Sequence, residues 1–551
     1  MKTFTILLSI IAGVGVIFLI LYFHYIPNDA IQYSMLGYNL FHYGYFNDTY
    51  GVVPGWMQSP GWPFVVGIFS YLLPLHQLAP IVTLILSIII GFIFYFFIKK
   101  YFSLTVALLG TCILVINPQF LIISGSGLSE PLYLLVHMSL FFLLYVYWFQ
   151  PKKASLAVSL LLSFLSVILM LIRSEGVLYT PLIVFILVKT QLKTKNVPNK
   201  CFNEQPRNKQ IGKLRYLQLN NYAFYSFVLY FIILSLLLVP YGNWVKEKTG
   251  YFSIIPKIIF NARVGKIADL LSLDKNMNLL SQELKAELAW YGLDENTNEL
   301  YSANILDNHY YQKITYKIKN GSKWRPNFFT LILKNLKETV LVVLRSNPFP
   351  IIFILIVLIG LYYLFKLDKC ILAFIVVWLI PSFYFLVSHV QERFFYIMLP
   401  YFSFIAAYGI YELGQKLKKK NLLYAITLAL LILNATYYYS QYYYKLQEKE
   451  VYYQVAQNLR KSIPSDVAIC AKEFQATFYS GNNFVKMPYC SIEALYKYLK
   501  KNNAQYLLLG EEVNGLRKVF KPIFIKQRTE QFQLINTYST SFQTFKLFKI
   551  L

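Results

Sequence analysis

The chain has 551 residues, of which 57% are hydrophobic and only 14% are charged, and this composition excludes a soluble globular protein. Lysine and arginine number 52 against 26 for aspartate and glutamate, an excess that is typical either of nucleic-acid binding or of membrane topology. The basic residues collect in alternate loops between apolar segments, which favours topology. We therefore predict a multi-pass membrane protein that has membrane lipids, and no nucleic acid, among its partners.

Eleven apolar segments are predicted to cross the bilayer as helices. The first follows Lys2 and no small-residue cleavage site precedes Pro27, so we expect a retained helix and no removed signal peptide. The eleven segments are residues 4–23, 80–98, 103–122, 129–148, 154–172, 175–190, 222–240, 348–365, 370–388, 394–413 and 421–438.

The positions of the basic residues orient these spans. If the N-terminus is cytoplasmic, the short outer loops hold little charge beyond Arg173 and Arg393. The inner loops then hold Lys99, Lys100, Lys152, Lys153, the basic segment 189–215, Lys366, Lys369, Lys416 and Lys418 to Lys420. We expect a bacterial plasma-membrane protein whose C-terminal part lies outside.

Three longer segments face outward in this orientation: residues 24–79, residues 241–347 and the tail. The first is predicted to hold a surface helix that contains Asp29 and stops at Gly44. The element SPGWPFVVGIFSYLLP follows it, and its prolines and sixteen-residue length argue against a full crossing. The second segment closes with NFFTLILKNLKETVLVVLRSNPF, which is predicted to form an amphipathic helix at the interface.

The tail, residues 440–551, is predicted to be a small extracytoplasmic α/β domain that follows a transmembrane domain of residues 1–439. Its pattern predicts helices at EKEVYYQVAQNLRKSI and SIEALYKYLKKNN, and strands at DVAICA, AQYLLLGE, KPIFIKQ and FQLINTYS. It contains no glycine-rich phosphate loop, so nothing in it favours a nucleotide site. The fold class is therefore an α-helical polytopic membrane protein with a C-terminal α/β domain.

Ionisable residues stand at four separate helix ends or outer loops, and the predicted topology puts all of them at one membrane face. Such groups are costly at this depth unless they are paired or functional, so their convergence predicts a site. The candidates are Asp29, Glu130, Arg173 with Glu175, and Glu392 with Arg393 and the neighbouring His389.

Several of these residues also have a structural interpretation. Asp29 can cap the following helix, and Glu130 can stabilise a helix N-terminus through the helix dipole. Arg173 can simply pair with Glu175, which makes these two the secondary candidates. Arg393 is harder to explain in this way, because a guanidinium at headgroup depth suits bidentate recognition of a phosphate.

Taken in order, these motifs resemble the GT-C superfamily of lipid-linked-sugar glycosyltransferases, particularly the group that includes protein O-mannosyltransferases and the aminoarabinose transferases of lipid A. The resemblance covers most of the chain. It rests on IPNDAIQYSMLGYNL, SPGWPFVVGIFSYLLP, SGLSEPLYLL, IRSEGVLYTP and ERFFYIMLPYFSFIAA, and on VAQNLRKSIPSDVAI and ATFYSGNNFVKMP in the tail. The first loop departs from the family in having Asn28 and Asp29 where a pair of acids is expected.

The resemblance implies transfer of a sugar from a polyprenyl- or dolichyl-phosphate donor to a glycan, lipid or protein acceptor at the outer membrane face, with inversion. Asp29 is then the base for the acceptor hydroxyl and Arg393 binds the donor phosphate, positioned by His389 and Glu392. Glu130 orients the acceptor or, with Asp29, holds Mg²⁺ or Mn²⁺. Because the first loop lacks a second acid, no metal or other cofactor is predicted.

Three other functions fit parts of the sequence. A glycan polymerase or ligase also takes polyprenyl-linked glycans, but it usually has more outward arginines than Arg173 and Arg393. A transporter or flippase places ionisable residues near the bilayer midplane within repeats, whereas these charges lie at helix ends and no repeat is visible. A member that only binds or scaffolds is disfavoured by the presence of Asp29 together with Arg393.

Overall fold

The computed structural model describes most of the helical part and the tail. The described residues are 26–46, 55, 58–149, 156–186, 209–257, 259–260, 263, 288, 291–294, 298–300, 328–345, 351–387, 392–418, 420–511, 519–526, 529–540 and 542–551. The predicted first span, residues 4–23, lies outside them.

The described part is mostly helical, as predicted. Four short 3₁₀ helices lie at Phe69–Tyr71, Ser174–Tyr179, Ile380–Val387 and Glu392–Met398. The α-helices are α1 (Asn28–Tyr43), α2 (Gly61–Ile68), α3 (Leu75–Tyr101), α4 (Leu104–Ile116), α5 (Pro118–Gly125), α6 (Glu130–Phe149), α7 (Leu156–Ile172), α8 (Lys209–Thr249), α9 (Phe328–Arg345), α10 (Ile351–Leu367), α11 (Lys369–Leu379), α12 (Leu399–Leu417), α13 (Lys420–Ser462), α14 (Phe474–Ser480), α15 (Ile492–Lys501) and α16 (Lys521–Ile525).

Several helical stretches have the length and apolar character of membrane spans, which confirms a multi-pass membrane protein. Within the described residues five stretches qualify, or six if the bent pair α4 and α5 is one span. Shorter apolar helices occupy four further predicted spans, at Leu160–Ile172, Ser174–Ile186, Phe353–Leu367 and Asn421–Tyr437. The predicted count of eleven is therefore not established by helix length.

The segment predicted as one span over residues 103–122 is bent by 62° between α4 and α5. Asn117 stops α4 in an extended conformation and caps α5, because its side-chain oxygen accepts hydrogen bonds from the backbone N–H groups of Gln119 and Phe120, at 2.9 and 3.4 Å. Pro118 follows as the first residue of α5, where its missing N–H costs nothing. The predicted segment therefore contains two helices joined at a bend.

The elements predicted for the first outer segment are confirmed. Helix α1 ends at Gly44, whose φ of 72° is the left-handed conformation that glycine adopts without strain. Helix α2 is only eight residues long and continues into the 3₁₀ turn Phe69–Tyr71, so this element is too short to cross a bilayer. Helix α9 is also present where the amphipathic pattern predicted it.

The tail contains a five-stranded mixed sheet packed with helices, as the predicted α/β class requires. Its strand order is β4-β3-β5-β7-β6, in which β4, β3 and β5 are parallel and the last two strands run antiparallel to their neighbours. Chain order gives the hairpin strands β1 (Leu293–Asp294) and β2 (Glu299–Leu300) first, then β3 (Ala468–Ala471), β4 (Asn483–Lys486), β5 (Tyr506–Gly510), β6 (Phe532–Ser539) and β7 (Thr544–Ile550).

Two predictions for the tail are wrong. The segment KPIFIKQ contributes the short helix α16 and no strand, because Pro522 occupies the first turn, where proline favours a helix. The predicted last span and the first tail helix are one helix, α13, since residues 421–463 contain neither glycine nor proline to interrupt it. At 1.5 Å per residue this helix is about 64 Å long, and it runs through the predicted domain boundary at 439/440.

The tail packs directly on the first outer helix. Ile26 and Ala30 are buried in one hydrophobic cluster with Val455 and Phe474 of the tail. The backbone N–H of Ile26 also donates a 3.0 Å hydrogen bond to the hydroxyl of Tyr479. The start of α1, where Asp29 lies, is therefore held in place by contacts with the tail.

Candidate active site at one end of the helical bundle

Five of the predicted site residues form a continuous chain of ion pairs. Arg393 Nη1 lies 2.8 Å from Asp29 Oδ2, and Arg393 Nε lies 3.7 Å from Glu130 Oε1. The same Glu130 oxygen accepts from Arg173 Nη1 at 2.7 Å, and Arg173 Nη2 lies 3.3 Å from Glu175 Oε1. The structure thus brings together residues that lie up to 364 positions apart in the sequence.

The five residues of this series of ion pairs differ in their exposure to solvent. The side chains of Glu130, Arg173 and Glu175 keep only 2, 13 and 15% of their surface exposed. Those of Asp29 and Arg393 keep 37 and 30%. The first three residues are therefore held inside the bundle, whereas Asp29 and Arg393 can be reached by a ligand.

Asp29 lies in the first turn of α1 but does not cap it. The N-cap residue is Pro27, and among the described residues no side-chain hydrogen bond caps this end of α1. The capping interpretation of Asp29 is therefore wrong. Its carboxylate instead faces Arg393, and although burial raises the pKa of Asp29, the nearby Arg393 and Lys257 lower it more, so the net pKa lies below the usual range.

A tight turn places Glu130 in the cluster. Gly127 has a φ of +75°, and a Cβ there would lie 3.0 Å from Ala30 Cβ, beside Asp29 on α1. The Trp62 indole N–H donates a 3.1 Å hydrogen bond to the Gly127 carbonyl oxygen, which fixes the turn on α2. The motif SGLSEP thereby lets α6 begin at Glu130 close to α1.

Glu130 has one carboxylate oxygen in ion pairs and one that is free. It is the first residue of α6, as the dipole interpretation requires, and it is almost fully buried at 1% exposure. Its second oxygen, Oε2, is buried without a hydrogen-bond partner among the described residues. Buried carboxylate oxygens are normally paired, so this atom has unused hydrogen-bonding capacity inside the bundle.

Arg173 pairs with Glu175 as predicted, but it also bridges to Glu130, which the sequence did not indicate. The guanidinium lies against the rings of Tyr133 and Phe394, 5.8 Å from each centroid. The Tyr384 hydroxyl donates a 2.9 Å hydrogen bond to Glu175. Arg173 is thus enclosed on several sides, and its position supports a structural role.

Lys257 is a site residue that sequence reasoning missed. Its ammonium group donates a 2.9 Å hydrogen bond to Gln58 Oε1, and the amide of Gln58 donates a 3.1 Å bond to Gln32 Oε1, one turn after Asp29 on α1. Lys257 is also close enough to lower the pKa of Asp29. It stands in the apolar stretch SIIPKIIF, where no motif distinguishes it from other lysines.

Glu392 and His389 are the remaining predicted site residues. Glu392 is half-buried at the start of the 3₁₀ helix that carries Arg393. His389 lies outside the described residues.

The described residues do not assemble a metal site. In that part of the chain no three His, Cys, Asp or Glu residues lie close enough together to hold an ion. Asp29 Oδ2 and Glu130 Oε1 are engaged by guanidinium groups, and Glu130 Oε2 is buried without a hydrogen-bond partner among the described residues.

The sequence is similar to one known family over part of its length. Residues 342–479, which include Arg393, match the Alg9-like mannosyltransferase family. No curated protein matches the chain by sequence.

Solved structures share the fold over nearly the whole chain. ArnT from Cupriavidus metallidurans bound to undecaprenyl phosphate has a TM-score of 0.53 at 11% identity, with 100% of this chain and 98% of that chain covered. The same protein in the apo state has a TM-score of 0.51 at 11% identity, over 98 and 97% of the two chains. The Archaeoglobus fulgidus oligosaccharyltransferase in complex with Zn and sulfate has a TM-score of 0.52 at 14% identity, over 92 and 68%.

These likenesses agree with the predicted resemblance. Residues 342–479 match a mannosyltransferase family, and the fold is shared with ArnT over the tail as well as the helical bundle.

Proposed function

We propose that this enzyme transfers a sugar from a polyprenyl-phosphate donor to a hydroxyl group of a glycan, lipid or protein acceptor at the outer face of a bacterial plasma membrane. The observation that carries the proposal is the partly exposed pair of Asp29 and Arg393 at the end of a buried ionic chain. The fold is shared with an ArnT structure that contains undecaprenyl phosphate. The proposed topology keeps eleven spans, a cytoplasmic N-terminus and an outer tail.

Arg393 is suited to the leaving phosphate. Its guanidinium offers a planar set of donors, keeps 30% of its side-chain surface exposed, and is held from one side by Asp29 and from the other by Glu130. A donor phosphate would compete with the Asp29 carboxylate for these N–H groups. Donor binding therefore neutralises charge at the departing oxygens and loosens Asp29 at the same time.

Asp29 is suited to act as the base. Released from Arg393, its carboxylate takes the proton of the acceptor hydroxyl while that oxygen forms a bond to the anomeric carbon. The bond from the anomeric carbon to the phosphate oxygen breaks, and polyprenyl phosphate leaves with the electron pair. Because the attack comes from the side opposite the phosphate, the anomeric configuration inverts.

The buried residues Arg173 and Glu130 position Arg393 beside Asp29. Arg173 holds Glu130, and Glu130 holds Arg393 from below, so the guanidinium that faces the ligand has a fixed orientation. Three carboxylates face only two guanidinium groups in this chain, and Lys257 supplies a further positive charge beside Asp29. Glu392, which directly precedes Arg393, and His389 are proposed to support Arg393.

The chemistry proposed here needs no metal. If a divalent cation such as Mg²⁺ or Mn²⁺ does bind, Asp29 and Glu130 are the residues that would hold it, through hard oxygen ligands of the kind these ions prefer. Glu130 Oε2, which has no hydrogen-bond partner among the residues that the structure describes, is one oxygen that could do so. No step above is routed through such an ion.

The test is mass spectrometry of lipid extracts from cells that express the wild type or Asp29→Asn. A polyprenyl-phosphate sugar that accumulates only with Asp29→Asn supports the proposal, and its mass identifies the donor. Asp466→Asn is the matched control, because Asp466 is an exposed aspartate of the tail. Equal profiles for all three proteins, each abundant and folded, would contradict the proposal.

A further inference from the structure

The residues that precede Asp29 are bonded to the tail. In the described part of the chain no side chain caps the N-terminus of α1. Both backbone polar groups of Ile26 bond instead to side chains of α14. The N–H of Ile26 donates to the Tyr479 hydroxyl at 3.0 Å, and its carbonyl oxygen accepts from the Gln475 amide at 3.4 Å. Gln475 and Tyr479 are both buried and lie four positions apart, so one face of α14 receives the chain as it enters α1.

A third contact with the tail lies one residue before the candidate base. Asn28 Nδ2 donates a 2.7 Å hydrogen bond to Glu473 Oε2, which joins positions 445 apart in the sequence. Glu473 directly precedes α14, and only 21% of its side-chain surface is exposed. A hydrogen bond to a carboxylate is stronger than one between neutral groups. The bond therefore ties the first residue of α1 to the start of α14.

Apolar packing alone does not fix the orientation of α1. The buried contacts of Ile26 and Ala30 with the tail are hydrophobic, and such contacts have little directional preference. Hydrogen bonds weaken steeply with angle, so the three polar contacts restrict how the first turn of α1 can rotate or shift. The hydrophobic cluster thus holds α1 against the tail, while the hydrogen bonds define its orientation.

The chemistry at Asp29 depends on this orientation. Asp29 Oδ2 lies 2.8 Å from Arg393 Nη1, and a shift of about 1 Å would break a contact of this length. Misplacement of a reacting group by about 1 Å can lower the rate by about a hundredfold. A small rotation of the first turn would therefore be enough to impair proton transfer.

We propose that Glu473 is a positioning residue of the tail, whose bond to Asn28 orients the first turn of α1 so that the Asp29 carboxylate can meet the acceptor hydroxyl. This inference rests on the proposed function. Glu473 acts through Asn28 and makes no contact with the reacting atoms. The tail thereby contributes to the geometry of the reaction.

The test is the kinetics of sugar transfer by the full-length protein in nanodiscs, together with its affinity for undecaprenyl phosphate. Glu473→Ala should lower kcat about tenfold and leave this affinity unchanged, because Arg393 still binds the phosphate. Glu473→Gln keeps an oxygen acceptor for Asn28, so it should restore most of kcat. Asn28→Ala should lower kcat as Glu473→Ala does, and the double variant should lose no more than either, because all three remove the same bond.

The matched control is Glu493→Ala, at an exposed glutamate of α15, which should leave kcat unchanged. Three results would overturn the inference. They are wild-type kcat in Glu473→Ala, an equal loss in Glu473→Gln, and a fall in the affinity for undecaprenyl phosphate that matches the fall in kcat. The last result is what a general loosening of the tail would cause.

Hydrogen exchange of the peptide that contains residues 26–31 separates this inference from the proposed function, because it needs no activity. Glu473→Ala should speed its exchange, and Glu473→Gln should not. Unchanged exchange in Glu473→Ala, with donor accumulation in Asp29→Asn, removes only the positioning role. Faster exchange without donor accumulation removes the proposed function and, with it, the positioning of a base.

Discussion

Asp29 and Arg393 stand 364 positions apart in the sequence and are joined by a 2.8 Å salt bridge at the partly exposed end of an ionic chain. A base that is already paired with a cation is a weak base, so this resting arrangement is not the reactive one. A phosphate that takes the guanidinium would free the carboxylate. The proposed mechanism thus couples substrate binding to activation of the base through one side chain, Arg393.

The first prediction concerns Asp29 itself. Asp29→Asn keeps the size of the side chain but cannot take a proton, so we expect transfer to fall by about 10² to 10⁴. Asp29→Glu should retain part of the activity. Sugar transfer by the purified variants, measured with the donor identified from lipid extracts, checks this, and near wild-type transfer by Asp29→Asn would contradict the assignment.

The two arginines should behave differently on substitution. Removing Arg173 leaves Glu130 buried without its main partner, so Arg173→Gln should lower the free energy of unfolding by about 3–5 kcal/mol. Arg393 and Asp29 are partly exposed, and Arg393→Gln should cost only about 1 kcal/mol or less.

Thermal unfolding in detergent measures this difference between the two arginines. The double variant Arg173→Gln with Glu130→Gln should recover part of the loss, because it removes the uncompensated charge. Equal destabilisation by both single variants would show that the buried ion pairs of Arg173 contribute no more to stability than the partly exposed pair of Arg393.

Gly127 provides a test of how the site is positioned. Gly127→Ala adds a Cβ 2.9 Å from Ala79 and 3.0 Å from Ala30 in a left-handed backbone, so it should both destabilise the protein and reduce transfer. Gly44→Ala is the matched control, because Gly44 has a similar φ of +72° and no atom of the described residues lies within 4 Å of the added Cβ. It should cost about 1–2 kcal/mol of backbone strain and leave transfer intact. Similar loss of transfer in both would remove the role of Gly127 in placing α1.

The pH dependence should report the charges around Asp29. Its pKa lies below the usual range because Arg393 and Lys257 outweigh the effect of burial, so the carboxylate stays ionised to lower pH than an ordinary aspartate. Lys257→Met removes a positive charge and raises this pKa, so the acid limb of the kcat/KM profile should move to higher pH. Lys248→Met, on an exposed position of α8, is the control and should not move it. An unchanged acid limb in Lys257→Met would contradict the role of Lys257.

The sequence predicted the elements that have strong local signals. The apolar spans, the helix that contains Asp29 and stops at Gly44, and the amphipathic α9 follow from periodicity and capping residues. The alternation of basic loops predicted that Glu130 and Arg393 would lie at the same end of the bundle.

The other features depend on tertiary contacts that leave no local pattern. Nothing in the sequence indicates that Arg173 bridges Glu130, because the nearer Glu175 explains it equally well. Lys257 belongs to a long outer segment that is distant in sequence from Asp29, and a hydrogen bond to Gln58 holds it at the site. Strand β7 was missed because its lysines interrupt the apolar pattern, although Phe548 is fully buried against β5.

The most direct measurement is the affinity of the purified protein for undecaprenyl phosphate in the wild type, Arg393→Gln and Asp29→Asn. Loss of the charge-assisted bonds from Arg393 should weaken binding by about tenfold to hundredfold. Asp29→Asn removes the carboxylate that competes for Arg393, so it should bind undecaprenyl phosphate at least as tightly as the wild type while transferring almost no sugar. Weaker binding by Asp29→Asn would mean that Asp29 serves to hold Arg393 in place, and it would contradict exchange of the guanidinium between the base and the donor phosphate.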